Sequence, residues 1–256
     1  MYASYHNHTW RCGHASGTER EYIEEAIAGG FTIFGFSDHT PYLYDGPYYP
    51  EGQKMHPEQM DDYIETCLAL KKEYARDITI HIGLEVEYYY DYFDRLMEFL
   101  ADYPLDYMIL GQHALGNGFP TDPSSFRRTK DPTVLTQYVE QCCEALDTGR
   151  FLYFAHPDVL HFEGHPQVYY AHMEKLCRKA KELNIPLEIN LQGLIEGRFY
   201  PHRAFWEMAA KTGNDVVFGA DAHRLGRIYD APAIRMAEDL AKELGLNVLP
   251  DLEARL

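Results

Sequence analysis

The sequence predicts an α/β fold in which seven strand–helix units close into a barrel. Short apolar runs alternate with helical patterns along the whole chain, which indicates a parallel sheet. Histidine or carboxylate residues follow almost every apolar run. A barrel brings all of its strand ends to one face, whereas an open sheet would spread them along a line. The glycine motifs GxGxxG and GxxxxGK[ST], typical of nucleotide-binding open sheets, do not occur in the sequence.

The strands are predicted from short apolar runs, as expected where both faces of a strand are buried. They lie near residues 2–6, 32–37, 78–85, 106–112, 152–156, 187–190 and 215–220. Helical patterns lie near residues 18–29, 57–75, 91–101, 132–147, 167–184, 203–212 and 231–244. Pro57 and Pro132 mark helix starts, Asp131 is a predicted N-cap, and Gly245 is a predicted helix end. The Tyr-, Pro- and Gly-rich stretch from Pro41 to Pro57, called the rim loop below, predicts a long functional loop.

Composition bounds the number of domains and the kind of partner. A length of 256 residues with 46% hydrophobic content suits one barrel, and no linker divides it, so residues 1–256 are predicted to form a single domain. The net charge of −17 disfavours nucleic acid and anionic membranes as partners. No transmembrane run or signal peptide is predicted, and five irregularly spaced cysteines predict reduced thiols and a cytoplasmic location. The oligomeric state is left open.

Nearly every predicted strand ends in residues that can ligate a metal ion. In chain order these segments are His6-Asn7-His8, Ser37-Asp38-His39, Glu85-Val86-Glu87, Gln112-His113, His156, Glu188-Ile189-Asn190 and Asp221-Ala222-His223, and His14 precedes the first helix. Residues i and i+2 on a strand point to the same side, so His6 and His8 can reach one ion. A lone histidine is more often structural. The recurrence of these residue types at one end of the strands predicts a metal centre.

These segments resemble, in order, the motifs of the PHP (polymerase and histidinol phosphatase) superfamily. The resemblance runs from residue 6 to residue 223. It implies a distorted (β/α)7 TIM-like barrel with two or three divalent metal ions, Zn, Fe or Mn, at its C-terminal face. The implied ligand sets are His6, His8, Glu85 and Asp221 for one metal, His14, His39 and His223 for a second, and His113 and His156 for a third, with Glu85 bridging between sites. Asp38 would orient a ligand histidine. No definite role follows for Glu87, for which support of a ligand residue and a solvent-facing position are both open.

The resemblance also implies a reaction, the hydrolysis of a phosphoester by a metal-activated water. Glu85, Asp221 and His223 are the candidate catalytic residues. Chain length and the rim loop favour the stand-alone, histidinol-phosphatase-like members, so the expected substrate is a small phosphomonoester, L-histidinol phosphate, hydrolysed in histidine biosynthesis. Guanidinium groups bind phosphate bidentately. The candidate phosphate contacts are therefore Arg198, Arg224 and Arg227, with Arg11 a further basic residue near a ligand motif.

The same barrel and residue pattern also occur with other functions. A phosphatase of the same fold acting on phosphotyrosine stays open. A nucleotide or oligonucleotide phosphoesterase is disfavoured by the acidic charge. A metal-dependent amidohydrolase with two metals usually has a lysine at the end of strand four, where this chain has Gln112. A non-catalytic metal-binding module would be expected to lose ligands, and every expected position is filled. One departure from histidinol phosphatases is the lack of a basic residue shortly after His156, where His161 is a partial substitute.

Overall fold

The computed structural model describes residues 2–256, and within them seven parallel strands alternate with helices. The strands are β1 (Ala3–Ser4), β2 (Ile33–His39), β3 (Thr79–Val86), β4 (Tyr107–Leu110), β5 (Leu187–Asn190), β6 (Asp215–Gly219) and β7 (Asn247–Val248). The α-helices are α1 (Glu19–Ala28), α2 (Met60–Glu73), α3 (Phe93–Leu100), α4 (Pro132–Asp147), α5 (Pro166–Glu182), α6 (Leu191–Glu196), α7 (Arg203–Thr212) and α8 (Ala231–Leu244). The sequence did not predict α6 or β7. Three 3₁₀ turns are Trp10–Cys12, Pro57–Gln59 and Glu253–Arg255.

The strands form two curved parallel sheets, in the orders β1-β2-β3-β4 and β5-β6-β7. The predicted strand at 152–156 lies between them but is not a regular strand, which corrects that prediction. Phe154 alone makes isolated parallel bridges, to Leu110 on one side and to Leu187 on the other. The chain turns immediately afterwards, because His156 has a φ of 32° and Pro157 follows. Backbone hydrogen bonds nevertheless join this short segment to both sheets. The Ala155 amide donates to the Leu110 carbonyl at 2.8 Å, and the Glu188 amide donates to the Phe154 carbonyl at 2.9 Å.

The two sheets also meet on the opposite side of the barrel, beyond the ends of β1 and β6. Asn7 pairs in parallel with Ala222. The His8 amide donates to the Ala222 carbonyl at 3.0 Å, and the Asp221 amide donates to the His6 carbonyl at 2.8 Å. With both seams joined, the chain is a distorted TIM-like barrel, as predicted. The second seam is formed by the segments that carry the first and last predicted metal ligands.

Register places ligand-bearing residues of neighbouring strands side by side. All seven residues of β2 are buried, as expected for a strand covered on both faces. The β2–β3 ladder runs from the Ile33–Thr79 pair to the His39–Glu85 pair. His39 and Glu85 therefore leave the sheet together at its C-terminal end, where a parallel barrel gathers its functional residues.

Local sequence signals account for several helix boundaries. Thr18 and Glu21 form a reciprocal capping box at the start of α1. The Asp131 side chain accepts from the Thr133 amide at the start of α4, which confirms the predicted N-cap. Gly245 ends α8 in the left-handed conformation, with φ of 68°. The helix predicted from residue 57 begins as a 3₁₀ turn, so that α2 proper starts at Met60.

The rim loop lies over the C-terminal face and contains no helix or strand before Pro57, as predicted. Its tyrosines attach it to the barrel. Tyr42 is buried and donates to the Glu87 carbonyl, and Tyr48 donates to the Gly118 carbonyl at 2.9 Å. The tyrosines thus act largely as a cover for the rim. None of the helices between residues 2 and 256 combines the length and hydropathy needed to span a membrane.

Candidate metal centre

Glu85, at the end of β3, is the hub of a histidine cluster. Its carboxylate is 1% exposed, and its Oε1 lies 2.8 Å from His156 Nε2 and 3.3 Å from His113 Nε2. Its Oε2 is close to three further histidine nitrogens: His39 Nδ1 at 3.0 Å, His6 Nε2 at 3.4 Å and His8 Nε2 at 3.5 Å. A single buried carboxylate is therefore shared by five imidazoles from four segments of the chain, since His6 and His8 both follow β1.

Asp221 is a second carboxylate in the cluster, on the segment after β6. Its Oδ1 lies 3.1 Å from His8 Nε2, 3.5 Å from His6 Nε2 and 3.3 Å from His223 Nδ1. The backbone pairing of His6 with Asp221 at the second seam brings these side chains together. The predicted i, i+2 pairs at the two ends of the chain thus converge.

The remaining predicted ligand, His14, lies on the solvent side of the cluster. Its ring stacks on His223 with centroids 4.7 Å apart and on His39 with centroids 5.1 Å apart. His8 stacks in turn on His223 at 4.0 Å. All nine residues predicted as ligands are therefore brought into one cluster.

The donor atoms of the cluster suit divalent cations. Five groups of three donor atoms each lie within 4.8 Å of one another: His6, His8 and Asp221; His6, Glu85 and His156; His39, Glu85 and His113; His8, His39 and His223; and Cys12, His14 and His223. Within residues 2–256, several buried atoms of the cluster have no hydrogen-bond partner, namely His6 Nε2, His8 Nδ1, His39 Nδ1, Glu85 Oε2, His156 Nδ1 and His223 Nε2. Unpartnered buried polar atoms are costly. Imidazole nitrogens with carboxylate oxygens are the donor set of Zn, Fe or Mn, so the residues fit such ions.

The histidines of the cluster differ in the direction in which their surroundings shift the pKa of the ring. Burial and the nearby charge of His8 lower the pKa of His39 well below its ordinary value and lower that of His223 to about 3. These rings are neutral, which is the ligating form of histidine. For His6, burial lowers the pKa, but the charges of Glu188, Asp221 and Glu85 outweigh it and raise the pKa well above the ordinary value. A bound cation would replace that proton as the countercharge.

Carboxylates around the cluster hold individual histidines in orientation. His6 Nδ1 donates to Glu188 Oε2 at 2.8 Å, and His113 Nδ1 donates to Glu87 Oε1 at 3.1 Å. Both carboxylates are buried. Because Nδ1 is occupied by the carboxylate, Nε2 is the ring nitrogen that faces the cluster and would ligate a metal ion. Asp38 lies next to His8, with its Oδ1 3.7 Å from His8 Nδ1.

The sequence left Glu87 open between support of a ligand and a solvent-facing position, and it gave no specific role to Glu188. The usable signal was a second carboxylate near the end of a buried strand, as in Glu85-Val86-Glu87. A buried carboxylate without a metal-binding role needs another partner, and here the partner is an imidazole. The sequence could not identify which histidine each carboxylate contacts, since that depends on the pairing of strands.

Two residues of the cluster have strained backbone conformations. His156 has φ of 32° and Asp221 has φ of 51°, the left-handed region that non-glycine residues rarely occupy. Strain of this kind persists where the surrounding structure imposes it, typically at functional sites. Both residues directly follow the strand segments at the two seams of the barrel.

A cavity of about 1150 Å³ opens over the cluster and is lined in part by His14, His39, His113, Asp221 and His223. The three predicted phosphate-binding arginines also line it: Arg198, Arg224 and Arg227. Arg198 is held by Glu196 Oε2, 2.8 Å from its Nε, and by the Tyr200 hydroxyl, 2.8 Å from its Nη1. Arg11 instead forms ion pairs with Glu19 and Asp62, so it is engaged in the protein interior.

Two further residues named from the sequence lie outside the cluster. His161 stacks on Phe199 at 4.0 Å and is 3.4 Å from Glu163 Oε1. The Gln112 side chain accepts from the Tyr88 amide and donates to the Ala114 carbonyl, at 2.9 and 2.6 Å. Gln112 is thus occupied by loop backbone and takes no part in the donor groups.

Fold and site together define a class, the TIM-like barrels whose chemistry depends on metal-ligating residues at the C-terminal face of the strands. Within that class the chain belongs to the PHP domain family, whose model matches residues 4–192. The match ends before Asp221 and His223, which the structure nevertheless joins to the other predicted ligands.

Named relatives agree with this family. A "Probable histidinol-phosphatase" of Deinococcus radiodurans is 30% identical over 232 residues, covering 87% of this chain and 86% of the relative. The "Histidinol-phosphatase" of Bacillus subtilis is 33% identical over 142 residues, covering 54% of this chain and 52% of the relative. A solved histidinol phosphate phosphatase from Lactococcus lactis, in complex with zinc, L-histidinol and phosphate, superposes with a TM-score of 0.75 at 20% identity, covering 97% of this chain and 95% of that one. At that identity the superposition establishes the shared fold.

Proposed function

We propose that this chain is a metal-dependent phosphatase that hydrolyses L-histidinol phosphate to L-histidinol and phosphate. The observation that carries the proposal is the convergence of five histidines on the buried Glu85, at distances of 2.8 to 3.5 Å. Such a set of imidazoles around one carboxylate is suited to a multinuclear divalent-metal centre. The substrate is proposed from the names of the two relatives and from the ligands of the Lactococcus lactis structure.

The proposed metal ligands are the nine residues of the cluster, which would hold two or three ions of Zn, Fe or Mn: His6, His8, His14, His39, Glu85, His113, His156, Asp221 and His223. When bound, such ions acidify a water molecule and stabilise negative charge on phosphoryl oxygens. Glu85 is suited to bridging, because its two oxygens face different histidines. Asp38 is proposed to support His8. Asp221 and His223 line the cavity and, with Glu85, are the candidate catalytic residues.

The basic residues of the cavity are proposed to bind the phosphate. Arg198 is the first choice, since Glu196 and Tyr200 fix its guanidinium while leaving other N–H groups for phosphoryl oxygens. Arg224 is more exposed and lies 3.7 Å from Glu196, and Arg227 lies 3.5 Å from Asp230. Arginines at the mouth of the cavity provide local positive charge in a protein whose net charge is −17.

The proposed substrate is a small phosphorylated molecule. A cytoplasmic location is part of the proposal, supported by five cysteines that are all free and buried. The acidic net charge argues against nucleic acid as a partner.

The proposal is tested by measuring phosphate release from L-histidinol phosphate beside phosphotyrosine, a nucleoside monophosphate and p-nitrophenyl phosphate. Metal content is measured on the same sample. Chelator-sensitive turnover with a clear preference for L-histidinol phosphate is the expected result. A preference for phosphotyrosine would support the proposed metal centre and contradict the proposed substrate. Turnover that is insensitive to chelators would contradict the proposed metal centre.

Single replacements of His8 and Asp221 by alanine test the ligand assignment. Both side chains are buried in the cluster. Loss of a residue that only supports a ligand costs about 10–100-fold in activity or affinity, so loss of a ligand itself is expected to cost more than about 100-fold in turnover. Arg203→Ala, which removes an exposed ion pair with Glu243, is the matched control and should retain full activity. Full activity and metal content in either cluster variant would contradict the assignment.

A further inference from the structure

A buried ion pair connects the rim loop to the end of β3. Lys54 of the rim loop is 5% exposed, Glu87 is 3% exposed, and the Lys54 ammonium directly contacts Glu87 Oε2. The ammonium also lies 5.5 Å from the ring centroids of Tyr42 and Tyr89. Burial of a lysine is costly unless its charge is paired. The pair fixes Lys54 in the rim loop and holds Glu87 in a single position.

The other oxygen of Glu87 faces the cluster. Glu87 Oε1 accepts from His113 Nδ1 at 3.1 Å, so that His113 Nε2 carries the lone pair. That Nε2 lies 3.3 Å from Glu85 Oε1 and 3.2 Å from His156 Nε2. Lys54, Glu87 and His113 thus form a continuous chain from the rim loop to a proposed ligand. His113 is 17% exposed, more than Glu85 or His156, so packing restrains its ring less.

The rim loop reaches the cluster at two further points. The Gly52 carbonyl accepts from His14 Nδ1 at 3.1 Å. The Met55 amide donates to the His39 carbonyl at 3.3 Å. The loop therefore contacts two residues of the cluster through its backbone. Its charged link to the cluster is indirect, because Lys54 pairs with Glu87 and Glu87 in turn contacts His113.

We infer that Lys54 is a positioning residue of the metal centre. By holding Glu87, Lys54 orients His113. The position of the rim loop on the barrel thereby sets the affinity for the ion that His39, Glu85 and His113 would bind. This inference rests on the proposed function, since it takes the cluster to be a metal centre. A purely structural ion pair would anchor the loop and leave metal affinity unchanged.

The test is a zinc titration of the metal-free, full-length protein against a chromophoric chelator. For Lys54→Met, the expected result is a 10–100-fold loss of affinity for one bound ion, the size typical of losing a residue that orients a ligand. The absorption spectrum of the Co²⁺-substituted protein should change in the same variant. Lys54→Arg should restore both readouts, because it keeps the positive charge. Lys71→Met, which removes a pairing with Asp106 2.7 Å away, is the control.

Glu87→Gln provides a second, independent readout. This variant should have a lower affinity for the same ion. The double variant Lys54→Met/Glu87→Gln should bind that ion no more weakly than Glu87→Gln alone, because both substitutions act through one chain of contacts. Circular dichroism of each metal-free variant verifies folding. If Lys54→Met does not fold, Glu87→Gln decides the question by the same titration.

The inference is overturned if folded Lys54→Met, or Glu87→Gln in its place, binds zinc with unchanged affinity and an unchanged Co²⁺ spectrum. If the variants bind zinc as tightly as a wild-type protein that also hydrolyses L-histidinol phosphate, only the positioning role is refuted. A wild-type protein that binds no zinc and no Co²⁺ would refute the proposed function itself.

Discussion

Gly111 and Gly219 create the space for two buried carboxylates. A Cβ atom added at residue 111 would overlap Glu85 Oε1, and one added at residue 219 would overlap Glu188 Oε2. Neither glycine has a positive φ, so backbone conformation does not require glycine at either position. The requirement is the close approach of a carboxylate from a neighbouring strand. The barrel can therefore hold Glu85 at its centre because the adjacent strand segment carries no side chain there.

Gly111→Ala is expected to displace Glu85 and to reduce turnover and bound metal per folded chain by more than about 100-fold, as for loss of a ligand. Gly83→Ala is the matched control, since its Cβ would meet the ring of Tyr107 in the core instead of the cluster. Overpacking there should cost about 1–3 kcal/mol of stability and leave metal content intact. Metal analysis and urea unfolding measure the two effects. Equal metal content in both variants would contradict this account.

Single residues were predictable where chemistry and position coincide. Histidine is rarely needed at the end of a buried strand for packing alone, so His6, His39 and His156 pointed to a common site before any contact was known. Lys54 could not be found this way. It lies in a loop without periodicity, and its importance depends on a carboxylate 33 positions away that folding brings against it.

At the scale of elements, the turn after the first strand and the rim loop are packed backbone against backbone. Gly13 has φ of 82°, and a Cβ there would lie 2.6 Å from Gly52 Cα. Gly46, elsewhere in the rim loop, has φ of 78° and no atom within 4 Å of an added Cβ. The two glycines therefore share the conformational requirement but differ in their surroundings.

Alanine at either position should cost about 1–2 kcal/mol, because an L-residue is strained at positive φ. Gly13→Ala should in addition push Gly52 away from His14 and lower turnover by about 10-fold, the lower end of the range for loss of a contact that orients a ligand. Gly46→Ala should leave turnover unchanged. Thermal unfolding and phosphate release separate the two effects. A Gly46→Ala variant as inactive as Gly13→Ala would show that loop strain alone matters.

Element boundaries were only partly predictable. The alternation of apolar runs and helical patterns depends on burial, which sequence periodicity reports directly. Hydrogen bonding at 152–156 does not follow from that pattern. Residues there are apolar because they fill the seam between two sheets, and residues 152–155 make backbone hydrogen bonds to the neighbouring strands. The turn at His156 and Pro157 ends this pairing early, so that Phe154 is bridged to both neighbours but no regular strand forms. A short, buried and partly paired segment has the same sequence signature as a regular strand.

At the scale of the whole molecule, the cluster connects the ends of β1, β2, β3, β4 and β6. Metal ions that bind the folded chain but not the unfolded chain should stabilise it, by about 2.7 kcal/mol per site at a concentration 100 times the Kd. For a chain of this length, that corresponds to a Tm increase of roughly 5–10 °C per site. Differential scanning calorimetry with and without EDTA measures the shift. Asp221→Ala should show a smaller shift, and equal Tm values for the wild type would contradict a resident metal.

The seam between residues 6–8 and 221–222 closes the barrel at the point where the first and last proposed ligands meet, and His8 and Asp221 are separated by 213 positions in the chain. On the ribosome, His6 and His8 emerge long before the segment that contains Asp221. A nascent or prematurely terminated chain that lacks this segment therefore has neither a closed barrel nor a complete set of donors. Only chains that have been translated beyond residues 221–223 can therefore bind the full set of metal ions.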